Sequence, residues 1–406
     1  MKYRSKRLPC LIILSLIAGL VMAPAPGQAS EPLVIGIPHS EAFAYATMMK
    51  NSFEIALEVI NREGGIKGRP LKLVYANDQG KRDTGEKSIN DLVKKHGAIM
   101  LVGAYQSSNT VYMARVADKL DRPFLVCTAA DDRITQRKWK NVYRLNPPAS
   151  EYAKGLEDFF LNKIRPKSMA IIYENSPYGT GGALRMMWFC RENDIEINTI
   201  IPYHKEKAKK EKIGSAYFQR LLLPLKEEPP DVIYMVSYLK DAALLVKKIR
   251  ALKINALLCG SAGGFTHPKM IKMAGDAANN LLTATLWFNK VCPSSTAYCS
   301  RYVDKYSIKP DYHGAEAYSA LLVAADVLNR AESFRSKDIR AALDKTDLKT
   351  PFGPVKFKSY GKFERQNRLP TMVLQILNGN FESIWPIELA TAKFMAPPDW
   401  RASANK

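Results

Sequence analysis

Residues 53–78 read FEIALEVINREGGIKGRPLKLVYAND, and this stretch decides the fold. Phe53, Ala56, Leu57 and Ile60 recur at i, i+3, i+4 and i+7, the spacing of one apolar helix face. Asn61 to Gly65 are expected to end that helix, because Gly64 and Gly65 take the left-handed conformation without a Cβ penalty. Gly68 and Pro70 shape the loop that follows, and Leu71, Leu73 and Tyr75 alternate as a strand does. Helix, tight turn and strand in one short run form the repeating piece of an α/β architecture.

The pattern continues outward in both directions. Strands are expected at Leu33–Ile37, Leu71–Ala76, Ala98–Val102, Phe124–Cys127, Met169–Tyr173, Glu196–Ile201, Val232–Val236 and Ala256–Cys259. Amphipathic helices fall between them, among them Thr84–His96, Glu151–Lys163 and Lys240–Leu252. This alternation predicts parallel sheets flanked by helices. It pauses at Arg144–Pro148 (RLNPP), where two prolines exclude regular helix and mark a hinge.

The first 29 residues read as a leader rather than as part of the fold. Lys2, Arg4, Lys6 and Arg7 precede a short apolar run, Leu11 to Val21, and Gly27-Gln28-Ala29 offers the small residues of a cleavage site. The run is shorter than the roughly 20 residues a membrane span needs. An exported periplasmic protein, cleaved near Ala29, is the expectation. The remaining chain is too long for one ordinary core, so two lobes are expected. The formal charge of +21 loses those four basic residues and stays near +17. Export and the absence of a nucleic-acid motif argue against nucleic acid as the partner. The run His204 to Lys212 (HKEKAKKEK) mixes Glu with Lys and reads as a solvated surface, or as attraction to anionic membranes or acidic ligands.

Five cysteines remain after Cys10 leaves with the leader. Cys292 and Cys299 bracket a short loop, and a disulfide between them is expected in an oxidising compartment. Cys127 and Cys259 end apolar strands and read as buried thiols, and Cys190 lies in a helical stretch. No spacing suggests a metal. There is also no catalytic triad, Walker lysine or G-x-G-x-x-G loop, so neither cofactor nor enzyme is indicated.

The words IN-x-x-GGI-x-GR-P-L-x-L, over Ile60 to Leu73, resemble the first βα unit of periplasmic solute-binding proteins of the branched-chain amino acid type. The run from Phe352 to Pro386, with its G-P-V-x-F, V-x-Q-x-x-N-G and W-P words, is similar to the family's end. The resemblance thus spans nearly the whole exported chain. It implies a type I periplasmic binding fold: two Rossmann-like lobes with parallel sheets, joined by a three-segment hinge. The N-lobe would hold 30–145 and 286–370, the C-lobe 146–285 and 371–390, and 391–406 a tail. The second and third crossings would fall near Thr283–Phe288 and Thr371–Leu377.

Ligand-facing positions follow from strand ends and from that resemblance. After Gly103 the chain reads AYQSSNT, and Ser107 or Ser108 sits at a helix N-terminus, where unpaired N–H groups favour an anion or are simply capped. The family's serine at the Ser107 position binds the ligand carboxylate. Thr128-Ala129-Ala130 forms the next loop of the same rim. Its family counterpart carries a hydroxyl at the last position, where this chain has Ala130. Tyr45 matches an aromatic wall, or else packs a helix. Tyr178, in Y-G-T-G, and Tyr238 match two ligand-facing tyrosines just past strand ends, where α/β proteins bind ligands. Either could instead pack.

The departure is at Ala262. Amino-acid binders of the family carry an acid there to pair the ligand ammonium, whose burial unpaired costs several kcal/mol. Either another acid reaches in, with Asp131, Asp132, Glu174 and Asp241 as candidates, or the ligand is a carboxylate or amide without an amino group. The expected function is capture of a small ligand by a monomer for delivery to the permease of an ABC importer. A sensor or structural protein of the same fold is the alternative.

Overall fold

The computed structural model describes residues 31–204, 211–290 and 292–398. The expected leader and most of the HKEKAKKEK run lie outside them. The opening motif folds through its own polar groups. The helix Ala46–Arg62 ends as Gly64 N–H donates to Asn61 O and Gly65 N–H to Ile60 O, with φ of +100° and +72° at the two glycines. A Cβ on Gly65 would lie 2.1 Å from the Arg69 carbonyl oxygen, so the turn closes only around glycine. The Asn61 side chain accepts from Leu71 N (2.7 Å) and donates to Leu71 O (2.9 Å), which pins the start of the next strand.

Five parallel strands form most of the first sheet: β1 (Leu33–His39), β2 (Leu71–Asn77), β3 (Met100–Gly103), β4 (Phe124–Val126) and β5 (Val142–Arg144). The second sheet holds β6 (Ser168–Glu174), β7 (Glu196–Tyr203), β8 (Val232–Val236), β9 (Leu257–Gly260) and β10 (Leu282–Thr285). A small ribbon, β11 (Leu348–Thr350) and β12 (Gly353–Val355), precedes β13 (Lys358–Tyr360) and β14 (Phe363–Gln366), which extend the first sheet. Finally β15 (Met372–Leu377) and β16 (Asn380–Trp385) extend the second. The orders are β13-β14-β5-β4-β3-β1-β2 and β16-β15-β10-β9-β8-β6-β7, antiparallel only at β13–β14, β10–β15 and β15–β16. Central strands such as β3 (MLVG) and β8 (VIYMV) are buried throughout, as a sheet covered on both faces requires.

The chain passes between sheets three times, after β5, β10 and β14. The third passage lies earlier than the Thr371–Leu377 of the sequence reading, because Met372–Leu377 is already β15. The second begins only after Thr285, since Leu282–Thr285 is β10. The first and third are laced together. The buried Arg144 guanidinium donates to Gln366 Oε1 (2.6 Å), Asp131 O (2.7 Å) and Thr135 Oγ1 (2.9 Å). Gln366 Nε2 in turn donates to Asn146 O (2.8 Å) and Asn367 O (2.6 Å).

The expected Cys292–Cys299 bridge is not formed, and both residues are free thiols. Cys292 is the N-cap of the helix Pro293–Tyr306, and Cys299 lies two turns along it. Seven residues of helix rise about 10 Å, beyond the roughly 7 Å over which a disulfide can join Cα atoms. Cys127, Cys190 and Cys259 are buried thiols.

Candidate functional site

The carboxyl ends of β3 and β4 form one rim of the cleft between the sheets. Ser107 is the first residue of the helix Ser107–Lys119, whose N-cap, Gln106, makes no side-chain capping bond. Ser107 Oγ accepts from Ala130 N–H at 3.1 Å, across to the loop after β4. Thr128 Oγ1 donates to Ala104 O (2.7 Å), so its hydroxyl stitches the two loops together and does not stand in for the missing one at Ala130. Ala129 and Ala130 are buried, and Ala130 O accepts from Ala149 N–H (2.7 Å) in the first hinge passage. Ser108 is half-buried beside them. The Ala130 N–H is thus spent on Ser107 Oγ, and it orients the Ser107 hydroxyl, whose own proton remains to donate to a carboxylate.

The opposite rim is aromatic. Tyr178 begins the Pro177–Glu192 helix after β6, held by Ser176 at the N-cap and Pro177 at the first position. Tyr238 stands two residues past β8, at the N-cap position of the Leu239–Ala251 helix. Their rings lie 5.3 Å apart. Tyr178 Oη donates to Ser261 O (3.2 Å). Ala262 is fully buried in the loop after β9, within the apolar core.

Between the rims the molecule bridges itself. Tyr45 Oη donates to Gly263 O (2.7 Å), and Gly263 N–H donates to Tyr312 Oη (3.1 Å). Both tyrosines come from the first lobe, whose helices Ala46–Arg62 and Tyr312–Arg330 pack together. Gly263 has φ of +52°, and a Cβ there would lie 2.1 Å from Tyr178 Oη, so only glycine admits this approach. His313 stacks between Tyr45 (3.7 Å) and Tyr312 (3.9 Å), with Asp311 receiving its backbone N–H and facing its Nδ1 at 3.1 Å. Tyr105 lies 5.5 Å from Tyr45 and 6.5 Å from Tyr238, which completes a run of rings from one rim to the other. Burial keeps the Tyr45, Tyr178 and Tyr312 phenols protonated far above their ordinary range, so each acts as a neutral donor or acceptor.

Two phenols thus meet at Gly263, next to Ala262. Three of the four other candidate acids are engaged elsewhere, while the charge of the fourth, Glu174, acts on the Tyr178 and Tyr238 phenols. Asp131 pairs with Arg133 (2.6 Å), Asp132 accepts from Ser150 N–H (3.3 Å), and Asp241 accepts from Tyr203 Oη (3.4 Å). Glu174 is buried at the end of β6. Asp131 and Asp132 line a cavity of about 510 Å³ at the cleft margin, with Ser176, Pro177 and Thr180 opposite.

Sequence reading missed Tyr105, Tyr152, Tyr312, His313 and one acid, Glu316. Glu316 is fully buried one turn beyond Tyr312, and neither carboxyl oxygen has a hydrogen-bond partner. Burial first, and the charge of Asp311 second, push its pKa well above the ordinary carboxylate value. Asn146 Oδ1 is likewise unpartnered, while its Nδ2 donates to Thr128 O (2.6 Å) and Tyr152 Oη (2.5 Å). Tyr105, adjacent to the Ser107 loop, was within reach of a sequence argument. Tyr312, His313 and Glu316 arrive on a distant helix whose periodicity reads only as core. No group of three His, Cys, Asp or Glu that could hold a metal occurs among the described residues.

Comparison with known proteins agrees with this architecture. Leu/Ile/Val-binding protein homolog 7 of Brucella suis biovar 1 (strain 1330) is 26% identical over 414 residues, covering 95% of this chain and 99% of its own. Two solved structures share the fold. The substrate-binding protein LivJ of the branched-chain amino acid transporter of Streptococcus pneumoniae, in complex with isoleucine, gives a TM-score of 0.77 at 21% identity, over 86% of this chain and 98% of its own. An ABC-transporter solute-binding protein from R. palustris, in complex with benzoate, gives 0.77 at 16% identity, over 90% and 98%. The Periplasmic binding protein family model matches residues 38–379, and the chain belongs to that family.

Proposed function

We propose that this is an exported solute-binding protein that captures a small carboxylate lacking an ammonium group and presents it to the permease of an ABC importer. The observation that carries the reading is the contrast across the cleft. The Ser107 hydroxyl stands at one rim, while the other offers phenols around Gly263 and carries Ala262 where the resembled family has its acid, with the buried Glu174 facing the Tyr178 and Tyr238 phenols instead. Burying an ammonium against such a rim would cost several kcal/mol, a large part of the ~8 kcal/mol behind micromolar binding. Aromatic acids suit it, since the run of rings from Tyr45 to Tyr178 offers faces for stacking. The benzoate-bound relative of the same fold supports this class, and the isoleucine-bound one marks its competitor. Ligand would favour the closed form by touching both rims, and only to the extent that it binds that form better than the open one.

The test is a thermal-shift panel of benzoate, other aromatic acids, 4-methylpentanoate and leucine. Ligand at about 1,000 times its dissociation constant adds about 4 kcal/mol of stability. Benzoate-like acids are expected to raise the melting temperature and leucine is not. A shift with leucine and none with 4-methylpentanoate, its deaminated counterpart, would overturn the carboxylate reading.

A further inference from the structure

A second cavity, of about 540 Å³, lies beside the ring cluster at the second hinge passage. None of Ser107, Thr128, Ala130, Tyr178 or Tyr238 lines it. Its walls include Trp287 and Phe381, and four lysines surround it: Lys269, Lys272, Lys290 and Lys309. All four are exposed, and none is in an ion pair among the described residues. The two acids of the lining are already engaged. Asp311 receives the His313 backbone N–H, and Glu382 receives the Thr391 hydroxyl. Four lysines against two carboxylates leave the lining net positive. The lining also holds a buried donor. His267 Nδ1 accepts from Lys269 N–H at 2.9 Å, which leaves the ring proton on Nε2.

We infer that this cavity is a second small-molecule site, separate from the cleft, for an organic anion with an aromatic or apolar body. Its volume is that of an ordinary small-molecule pocket, and its chemistry is divided as such sites are. Apolar walls take the body, and the lysine rim and His267 Nε2–H take the negative group. Since Met48 and Lys309 come from the first lobe and Thr266–Lys272 and Phe381 from the second, an occupant touches both lobes. It would therefore bias closure from a place distinct from the cleft.

The probe is 8-anilinonaphthalene-1-sulfonate, an aromatic anion whose fluorescence reports burial, titrated into the folded protein. Saturable binding to one site is expected, weakened by salt. The Lys269→Glu/Lys309→Glu pair should weaken it about tenfold or more, which is 1.4 kcal/mol or more. Lys272→Glu/Lys290→Glu serves as a second pair if the first folds poorly, and the arginine versions should retain binding. Both charge-reversed pairs should leave the thermal shift by the cleft ligand unchanged. Absence of binding, indifference to charge reversal, or equal weakening by Ser107→Ala would each overturn the proposal, the last by placing the probe in the cleft.

Discussion

The two rims of the cleft are built by the same rule and carry different chemistry. Each sits past the carboxyl ends of parallel strands, β3 and β4 on one side and β6, β8 and β9 on the other. The first rim keeps a hydroxyl and a backbone N–H within 3.1 Å of each other. The second is sealed by phenols over a buried Ala262, with Gly263 held from across the cleft. Under the proposed function, the difference teaches that one half of a recognition site can keep its carboxylate donor while the other carries a different ligand chemistry. Backbone donors come with the fold, whereas a counter-charge is one side chain.

The largest way to break this comparison is to restore the acid. Ala262→Glu places a carboxyl where the native side chain has no exposure. It is expected to lower the stability of the unliganded protein by about 3–5 kcal/mol, measured by denaturant unfolding, without creating leucine binding. If the variant stays stable and gains a leucine-induced thermal shift, the rims were never chemically different, only one charge apart.

The next effect is the pH dependence of stability, where two groups near the second rim act in opposite senses. Burial lowers the His267 pKa to about 4. As pH falls below about 6.5 the unfolded chain takes up a proton that the native ring refuses, so up to about 3 kcal/mol is lost by pH 4. Glu316 behaves the other way, because burial raises its pKa above 4.5. The native state keeps a proton that the unfolded chain releases, and stability falls as pH rises from about 4.5 through the native value. Glu316→Gln removes the second slope: it should change little near pH 5 and gain on the wild type as pH rises. A wild-type stability curve flat from pH 5 to 8 would contradict this account of Glu316.

The scaffold was legible because its signals are local. All eight strands expected from alternation and apolar runs occur, each within two residues at either end. Those overlooked include the six-residue β15 and β16, whose stretch reads in sequence as a crossing and a family word, and the shorter β5 and β10, three and four residues long. A run that short shows no period, and its pairing decides it. The positions of Ser107 and Ala130 past the ends of β3 and β4 were legible for the same reason, since each follows an apolar run. The Tyr45–Gly263 bond joins residues 218 positions apart, and no periodicity reports a contact of that kind. The disulfide expectation failed because the reading took Cys292–Cys299 as a loop, where Pro293 starts a helix instead.

A smaller effect sharpens the first rim. Ser107→Ala removes the acceptor of a buried N–H at Ala130. Stability should fall by about 1–2 kcal/mol, because the donor is left unsatisfied. Affinity for the carboxylate should fall about tenfold, by titration calorimetry. Loss of stability with affinity intact would make Ser107 a strut of the rim and not a ligand contact.

The smallest change expected is Tyr45→Phe, and it separates closure from recognition. The phenylalanine ring keeps the stack on His313, so the aromatic surface stays. Only the donor to Gly263 O is lost, and that oxygen still accepts from Thr266 Oγ1 at 3.1 Å. The loss is therefore one net hydrogen bond, about 0.5–1 kcal/mol, with no group left bare. That bond joins the lobes, so parting them would break it. Removing it shifts the unliganded protein toward the open form and weakens every ligand of the closed form by the same factor, a few-fold. Tyr178→Phe, whose hydroxyl bonds within the second lobe to Ser261 O, leaves that equilibrium alone and should change affinities ligand by ligand. A uniform affinity loss for the first variant and a selective one for the second would assign Tyr45 to closure and Tyr178 to recognition. The reverse pattern would exchange the two roles.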